Sequence, residues 1–238
     1  MTGVPLFFIP GWATNAQIWR QICARPANYY YDAPQFPDFN HLAASFLKFQ
    51  PHPGPRGAIL VGWSLGGMLA LELAHHFPAQ IEKVILVGST ACFIKREDYA
   101  AGLPPVLVKR LLKKLRLDCR ETQRAFYRLM FSPAEQKEAQ TFAASVAPLM
   151  SGIPEATLAH GLAYLLDTDL RPLLPRITVP CHIIHGLADG ICPFAAGQYM
   201  AAQLPRARLH SLAAGHIPFY TRPAEFQALL EECIHRDQ

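Results

Sequence analysis

The segment Gly62-Trp63-Ser64-Leu65-Gly66-Gly67 constrains this chain more than any other. It sits between a short apolar run, Ala58–Val61, and a helical pattern, Met68–Ala74. That arrangement describes a buried strand turning sharply into a helix that packs back on it. Close crossing of helix and strand leaves no room for side chains at 62 and 66, which explains the glycines. The serine between them is expected to hold a strained backbone, with Oγ lifted clear of the sheet near the positive end of the helix. Five residues of this kind recur by chance; the flanking strand and helix make the pattern specific. Ser64 is therefore the candidate nucleophile.

Further apolar runs bounded by Gly or Pro alternate with helical stretches: Leu6–Ile9, Tyr29–Tyr31, Val84–Val87, His182–Ile184 and Leu209–Leu212. Continuously apolar strands separated by helices indicate an α/β chain with a mostly parallel sheet, buried on both faces. Met68–His76 and Ala224–Ile234 are helix candidates, the latter opening at Pro223. At 238 residues, 51% hydrophobic and 17% charged, the chain suits one such domain and excludes disorder. The stretch from about Cys92 to Pro175 breaks the alternation. Val108, Leu111, Leu112 and Leu115 form an apolar stripe, and Arg120, Arg124 and Arg128 recur every fourth residue. The expected division is a core of 1–91 and 176–238 with a helical cap of 92–175 over the carboxyl edge of the sheet.

A serine needs a base, and the base needs an orienting acid. Among ten histidines, His216 follows the last strand in Ala213-Ala-Gly-His-Ile-Pro218, a loop able to reach over the sheet. His185 is its rival; His41, His75, His76 and His235 fall on helical segments and suit solvated surfaces. Asp189 follows the strand His182–Ile184, one βαβ step before His216. Asp167 and Asp169 fall at the end of the cap and read as exposed carboxylates or helix caps. Oxyanion donors are expected at the backbone N–H groups of Leu65 and of Trp12, the latter in the loop after the first strand.

Phosphate-loop, dinucleotide, HExxH and EF-hand patterns are missing from the sequence, and no metal or cofactor is expected. Six scattered cysteines without a CxxC pair read as reduced, mostly buried thiols. A net charge of +4 is too mild to indicate nucleic acid. The amino terminus has no basic segment before its short apolar run, and no run reaches membrane length, so a cytoplasmic chain is expected, without membrane association.

Phe8-Ile-Pro-Gly-Trp-Ala-Thr-Asn-Ala-Gln-Ile-Trp19, Gly62-Trp-Ser-Leu-Gly-Gly67, Gly88-Ser-Thr-Ala-Cys-Phe93, Leu187-Ala-Asp-Gly190, Ala214-Gly-His-Ile-Pro-Phe219 and Arg222-Pro-Ala-Glu-Phe226 together resemble the pimeloyl-ACP methyl ester esterases of biotin synthesis. The resemblance spans nearly the whole chain in order. It implies the α/β-hydrolase fold with a helical cap after Val84–Val87, and a serine carboxylesterase that frees methanol from a carrier-bound pimeloyl methyl ester. It implies Ser64, Asp189 and His216 as the reacting trio, with Trp12 and Leu65 around the oxyanion. It places Phe126, Tyr127 and Met130 along an acyl channel. It also implies a basic cap that docks an acidic carrier protein, matching Lys109, Arg110, Lys113, Lys114, Arg120, Arg124 and Arg128. Residues 109–128 carry eight Lys/Arg against Asp118 and Glu121. A monomer is expected. Pro10 departs from the family, where histidine is frequent. A first hairpin is expected to be missing, and residues 23–57 to be compressed and proline-rich.

Overall fold

The computed structural model describes residues 5–20, 28–32, 38–49 and 57–235; Cys23 and much of the proline-rich stretch 23–57 lie outside them. Six strands form one sheet: β1 (Leu6–Ile9), β2 (Tyr29–Tyr30), β3 (Ala58–Trp63), β4 (Ile81–Val87), β5 (Cys181–Gly186) and β6 (Ala207–Leu212). The order is β2-β1-β3-β4-β5-β6, and every neighbouring pair is parallel. β1, β3 and β5 are buried at every residue, as strands covered on both faces must be, whereas edge strand β6 is buried fully only at Leu212. β4 starts three residues before the expected run. Glu82 and Lys83 interrupt its apolar pattern, yet Lys83 is buried.

The chain runs outward from β1 to β2, then returns to place β3 on the other side of β1. Crevices form at the carboxyl ends of strands where the order reverses in this way. The loop after β1 and the turn after β3 meet there.

Helices α1 (Gln17–Arg20), α2 (Phe39–Phe49), α3 (Leu65–His76), α8 (Phe194–Gln203), α9 (Pro218–Thr221) and α10 (Pro223–His235) belong to the alternation. Between β4 and β5 lie α4 (Pro105–Leu117), α5 (Cys119–Leu129), α6 (Gln136–Ser145) and α7 (Glu155–Asp167), with only Asp118 between the first two and short 3-10 turns between the others. This insertion carries isolated bridges only. One of them, Cys92 to Asp169, closes its neck beside a hydrogen bond from Leu170 N–H to Ala91 O at 2.8 Å. Asp169 is therefore not the exposed carboxylate that its position suggested, although its side chain does accept the Arg171 N–H at 3.1 Å where the following 3-10 turn begins. It is half-buried and ion-paired to Arg171 at 2.7 Å and Arg96 at 3.3 Å, stitching the two ends of the insertion together.

An aromatic layer ties the amino half of the sheet to the carboxyl-terminal helices. Trp19 packs on Phe8 and Phe219, Trp63 meets Phe219 edge-on at 5.0 Å, and Phe219 meets Phe226. Such pairs add roughly 0.5–1.5 kcal/mol each beyond their burial. Among the described residues, no helix is long and apolar enough to cross a membrane.

Candidate active site

The turn from β3 into α3 is built as its glycines require. A Cβ on Gly62 would lie 2.5 Å from the carbonyl oxygen of Gly66, and one on Gly66 would lie 2.4 Å from the carbonyls of Ile9 and Pro10. Ser64 takes φ 55° and ψ −122°, a left-handed strain for a residue with a side chain. Its N–H bonds Val87 O at 2.9 Å, and its carbonyl accepts from Gly67 N–H at 2.9 Å and from the Ser89 hydroxyl at 2.7 Å. The strain is thus held from β4 as well as from α3.

Asp189 lies in the loop after β5 and His216 in the loop after β6, both buried. One Asp189 oxygen accepts the N–H groups of Ile191 and Cys192 at 2.9 and 2.8 Å; the other receives Nδ1 of His216 at 2.8 Å. A carboxylate acceptor places the imidazole proton on Nδ1 and leaves a lone pair on Nε2. That Nε2 is buried and has no hydrogen-bond partner among the described residues, so the bond to the Ser64 hydroxyl is not made in this resting arrangement. Catalytic hydrogen bonds are often long before substrate binds. The loops are nevertheless tied together: the Trp63 indole N–H donates to His216 O at 2.9 Å. Gly88, at φ 47°, lets β4 end directly beneath the pair; a Cβ there would meet the Asp189 carboxylate at 3.2 Å.

His185 has a different position. Its Nε2 is occupied by the carbonyl of Cys192 at 2.7 Å, and burial depresses its pKa, keeping the ring neutral. The Cys192 thiol is raised well above its ordinary pKa, first by burial and then by the Asp189 charge, with the Ser64 hydroxyl opposing. A thiol so protonated is no rival nucleophile.

The backbone N–H of Leu65 opens α3 and so lacks a helical acceptor. Neither it nor the Trp12 N–H takes part in the turn and loop hydrogen bonds found among the described residues. The Trp12 indole donates to Leu158 O at 2.8 Å and meets Phe126 edge-on at 4.5 Å. α7 packs on this indole so tightly that a Cβ on Gly161 would come within 2.5 Å of it.

The insertion also reaches the loop that carries His216. His216 N–H donates to Met130 O at 2.8 Å, so Met130 acts through its backbone. Glu135 accepts from Gly215 N–H at 2.9 and 3.1 Å and from Ser132 N–H at 2.7 Å. Burial alone would raise the Glu135 pKa; bonds from Thr221, Ser132 and Gly215 outweigh it and hold the carboxyl below its ordinary value. Sequence reading missed this clamp. The Ser132…Glu135 capping box was visible, but its grip on a loop 80 residues away was not. Tyr127 donates its hydroxyl to Ala13 O at 2.7 Å, fastening α5 to the loop after β1.

A cavity of about 650 Å³ opens between α5 and α6, lined by Arg120, Arg124, Arg128, Tyr127, Phe131 and Phe142 among others. Its mouth is basic and its wall aromatic. Lys109, Arg110, Lys113 and Lys114 are exposed on α4. Arg128 is already paired with Glu121 at 2.7 Å.

Residues 6–229 match the Alpha/beta hydrolase family. The chain belongs to that family. It is 36% identical over 250 residues to the pimeloyl-[acyl-carrier protein] methyl ester esterase of Nitrosospira multiformis, covering 95% of this chain and 92% of that one. The protein of the same name from Aromatoleum aromaticum is 30% identical, covering 96% and 97%. Among solved structures, an esterase from Exiguobacterium antarcticum superposes with a TM-score of 0.82 at 23% identity, over 98% of this chain and 92% of its own. That likeness speaks to the fold.

Proposed function

We propose that this member of the α/β hydrolases is a cytoplasmic carboxylesterase that cleaves the methyl ester of pimeloyl-acyl carrier protein. The chemistry is carried by one observation: an Asp189–His216 pair at 2.8 Å, tied through Trp63 to a serine held at φ 55°. The substrate is suggested by near full-length relatives bearing that name. Ser64 Oγ attacks the ester carbonyl as Nε2 of His216 takes its proton, and Asp189 stabilises the imidazolium. The N–H groups of Leu65 and Trp12 receive the oxyanion. The imidazolium returns its proton to the departing methoxide, giving methanol; water then attacks the acyl-serine by the same route. Residues 92–175 act as the cap. Phe126, Tyr127 and Met130 belong to the wall that guides the acyl chain, and the basic faces of α4 and α5 receive the acidic carrier.

The test uses purified protein with pimeloyl-ACP methyl ester and with a free short ester. Ser64→Ala should lower turnover of both by at least about 10⁴-fold, with the circular dichroism unchanged. Reversing Arg120 and Arg124 to Glu should cut kcat/KM on the carrier-bound ester roughly tenfold or more and spare the free ester. Equal losses on both substrates would remove carrier docking. Rapid cleavage of short esters, with none of the carrier-bound one, would identify a general esterase instead.

A further inference from the structure

Far from Ser64 in sequence and role, three side chains converge beneath α10: His182 on β5, His210 on edge strand β6, and Cys233 on α10. One ligand atom from each lies within 4.8 Å of the others. His182 Nδ1 and His210 Nε2 are 3.2 Å apart, and His210 Nε2 is 3.7 Å from Cys233 Sγ. Zinc bonds of about 2.0–2.1 Å to nitrogen and 2.3 Å to sulfur, at the tetrahedral angle, separate two nitrogens by about 3.3 Å and nitrogen from sulfur by about 3.6 Å. The observed spacings match both values. We propose that His182, His210 and Cys233 bind a thiophilic divalent cation such as zinc.

Several features support the site. Paired β5 and β6 put His210 beside Ile184, on the same face as His182, because side chains two apart share a face. Lys83, buried on β4, donates its ammonium to the carbonyls of Cys233 and Ile234, fixing the end of α10 over that face. His182 and Cys233 are buried while His210 is half-buried, so solvent reaches the cluster from the sheet edge. Three protein ligands leave a fourth position for water. The sequence concealed the cluster because its members lie 28 and 23 residues from His210, with none of the short spacings of zinc motifs.

Binding balances simply. Each imidazole turns a neutral nitrogen to the ion, its proton moving to the other ring nitrogen, and Cys233 loses the thiol proton. One proton leaves for each ion bound. The bound ion would fasten the carboxyl-terminal helix to the edge of the sheet.

Chelator-stripped whole protein is titrated with Co²⁺ and then with Zn²⁺. One Co²⁺ per chain should give a thiolate charge-transfer band and tetrahedral visible absorption, release one proton, and be displaced by Zn²⁺. Zn²⁺ should raise Tm in proportion to the logarithm of its free concentration. Cys233→Ala should abolish the band. His210→Gln, at the half-buried position where folding is least at risk, should weaken binding by more than the 10–100-fold typical of outer-shell changes. A missing band, a band that survives Cys233→Ala, or equal affinity in His210→Gln would each overturn the site and leave a hydrogen-bonded polar cluster.

Discussion

The turn after β3 and the helical insertion both fix parts of the candidate site, but by different means. At the turn, backbone touches backbone: Gly62 and Gly66 stand where any side chain would collide with main-chain atoms at 2.4–2.8 Å. The insertion packs α7 and Phe126 on the Trp12 indole, and it reaches the loops through individual hydrogen bonds: the His216 N–H to Met130 O, the Gly215 N–H to Glu135, and the Trp12 indole N–H to Leu158 O. Steric contacts cannot be partly lost, whereas hydrogen bonds can be weakened one at a time. The difference teaches that the core fixes the backbone at Ser64, whereas the insertion adjusts the loops that carry His216 and Trp12.

The sharpest break in this comparison is Gly66→Ala. Its methyl group would press on two carbonyl oxygens of the β1 strand-to-loop junction. A loss of at least about 3 kcal/mol is expected, a large share of a typical total stability. Urea unfolding should show a lower midpoint, and labelling of Ser64 by a fluorophosphonate should collapse. A variant as stable and as reactive as the parent would refute steric control of the turn.

A smaller effect is expected for Glu135→Gln. The amide would turn a donor toward the Gly215 or Ser132 N–H, costing about 1.5–3 kcal/mol for a charged hydrogen bond lost in a buried place. Because the folded state lowers the Glu135 pKa, its stabilisation is complete above the unfolded carboxyl value and disappears as pH falls through the lowered one. Unfolding midpoints of parent and variant should therefore differ at neutral pH and converge in acid. Divergence toward acid would contradict the clamp.

The smallest effect is Arg128→Ala. Its pairing with Glu121 is exposed on both sides, and stability should change by no more than about 0.5 kcal/mol. A larger change in the unfolding midpoint would mean that α5 is less independent of its surface than its hydrogen bonds suggest.

The sequence was most informative where physics is local. Strands covered on both faces must be apolar throughout, which made β1, β3 and β5 plain; the edge runs at Tyr29–Tyr31 and Leu209–Leu212 also appear as strands although they are only partly buried, and the glycines announced the tight crossing at α3. Where a fully apolar rule is broken, as at Glu82-Lys83, the start of β4 was lost, because the partner that accepts the Lys83 ammonium lies on α10. Asp189 and His216 could be placed from strand order alone, and the structure brings them together. Glu135, the neck pairing of Asp169 with Arg96, and the Tyr127 hydroxyl bond to Ala13 were invisible because each depends on a partner chosen by tertiary packing. Tyr127 shows the limit well: the resemblance implied a channel wall, and its hydroxyl proves to fasten α5 to the loop after β1.

The indole of Trp63 gives the architecture a last property. Since it grips the main chain of residue 216 while its own backbone runs directly into residue 64, the alcohol and the imidazole ride on a common strut. Thermal drift of either loop carries the other with it, so their separation is buffered against motions that displace both. Rotation of the Ser64 and His216 side chains about their own bonds is the freedom that this link leaves unrestricted.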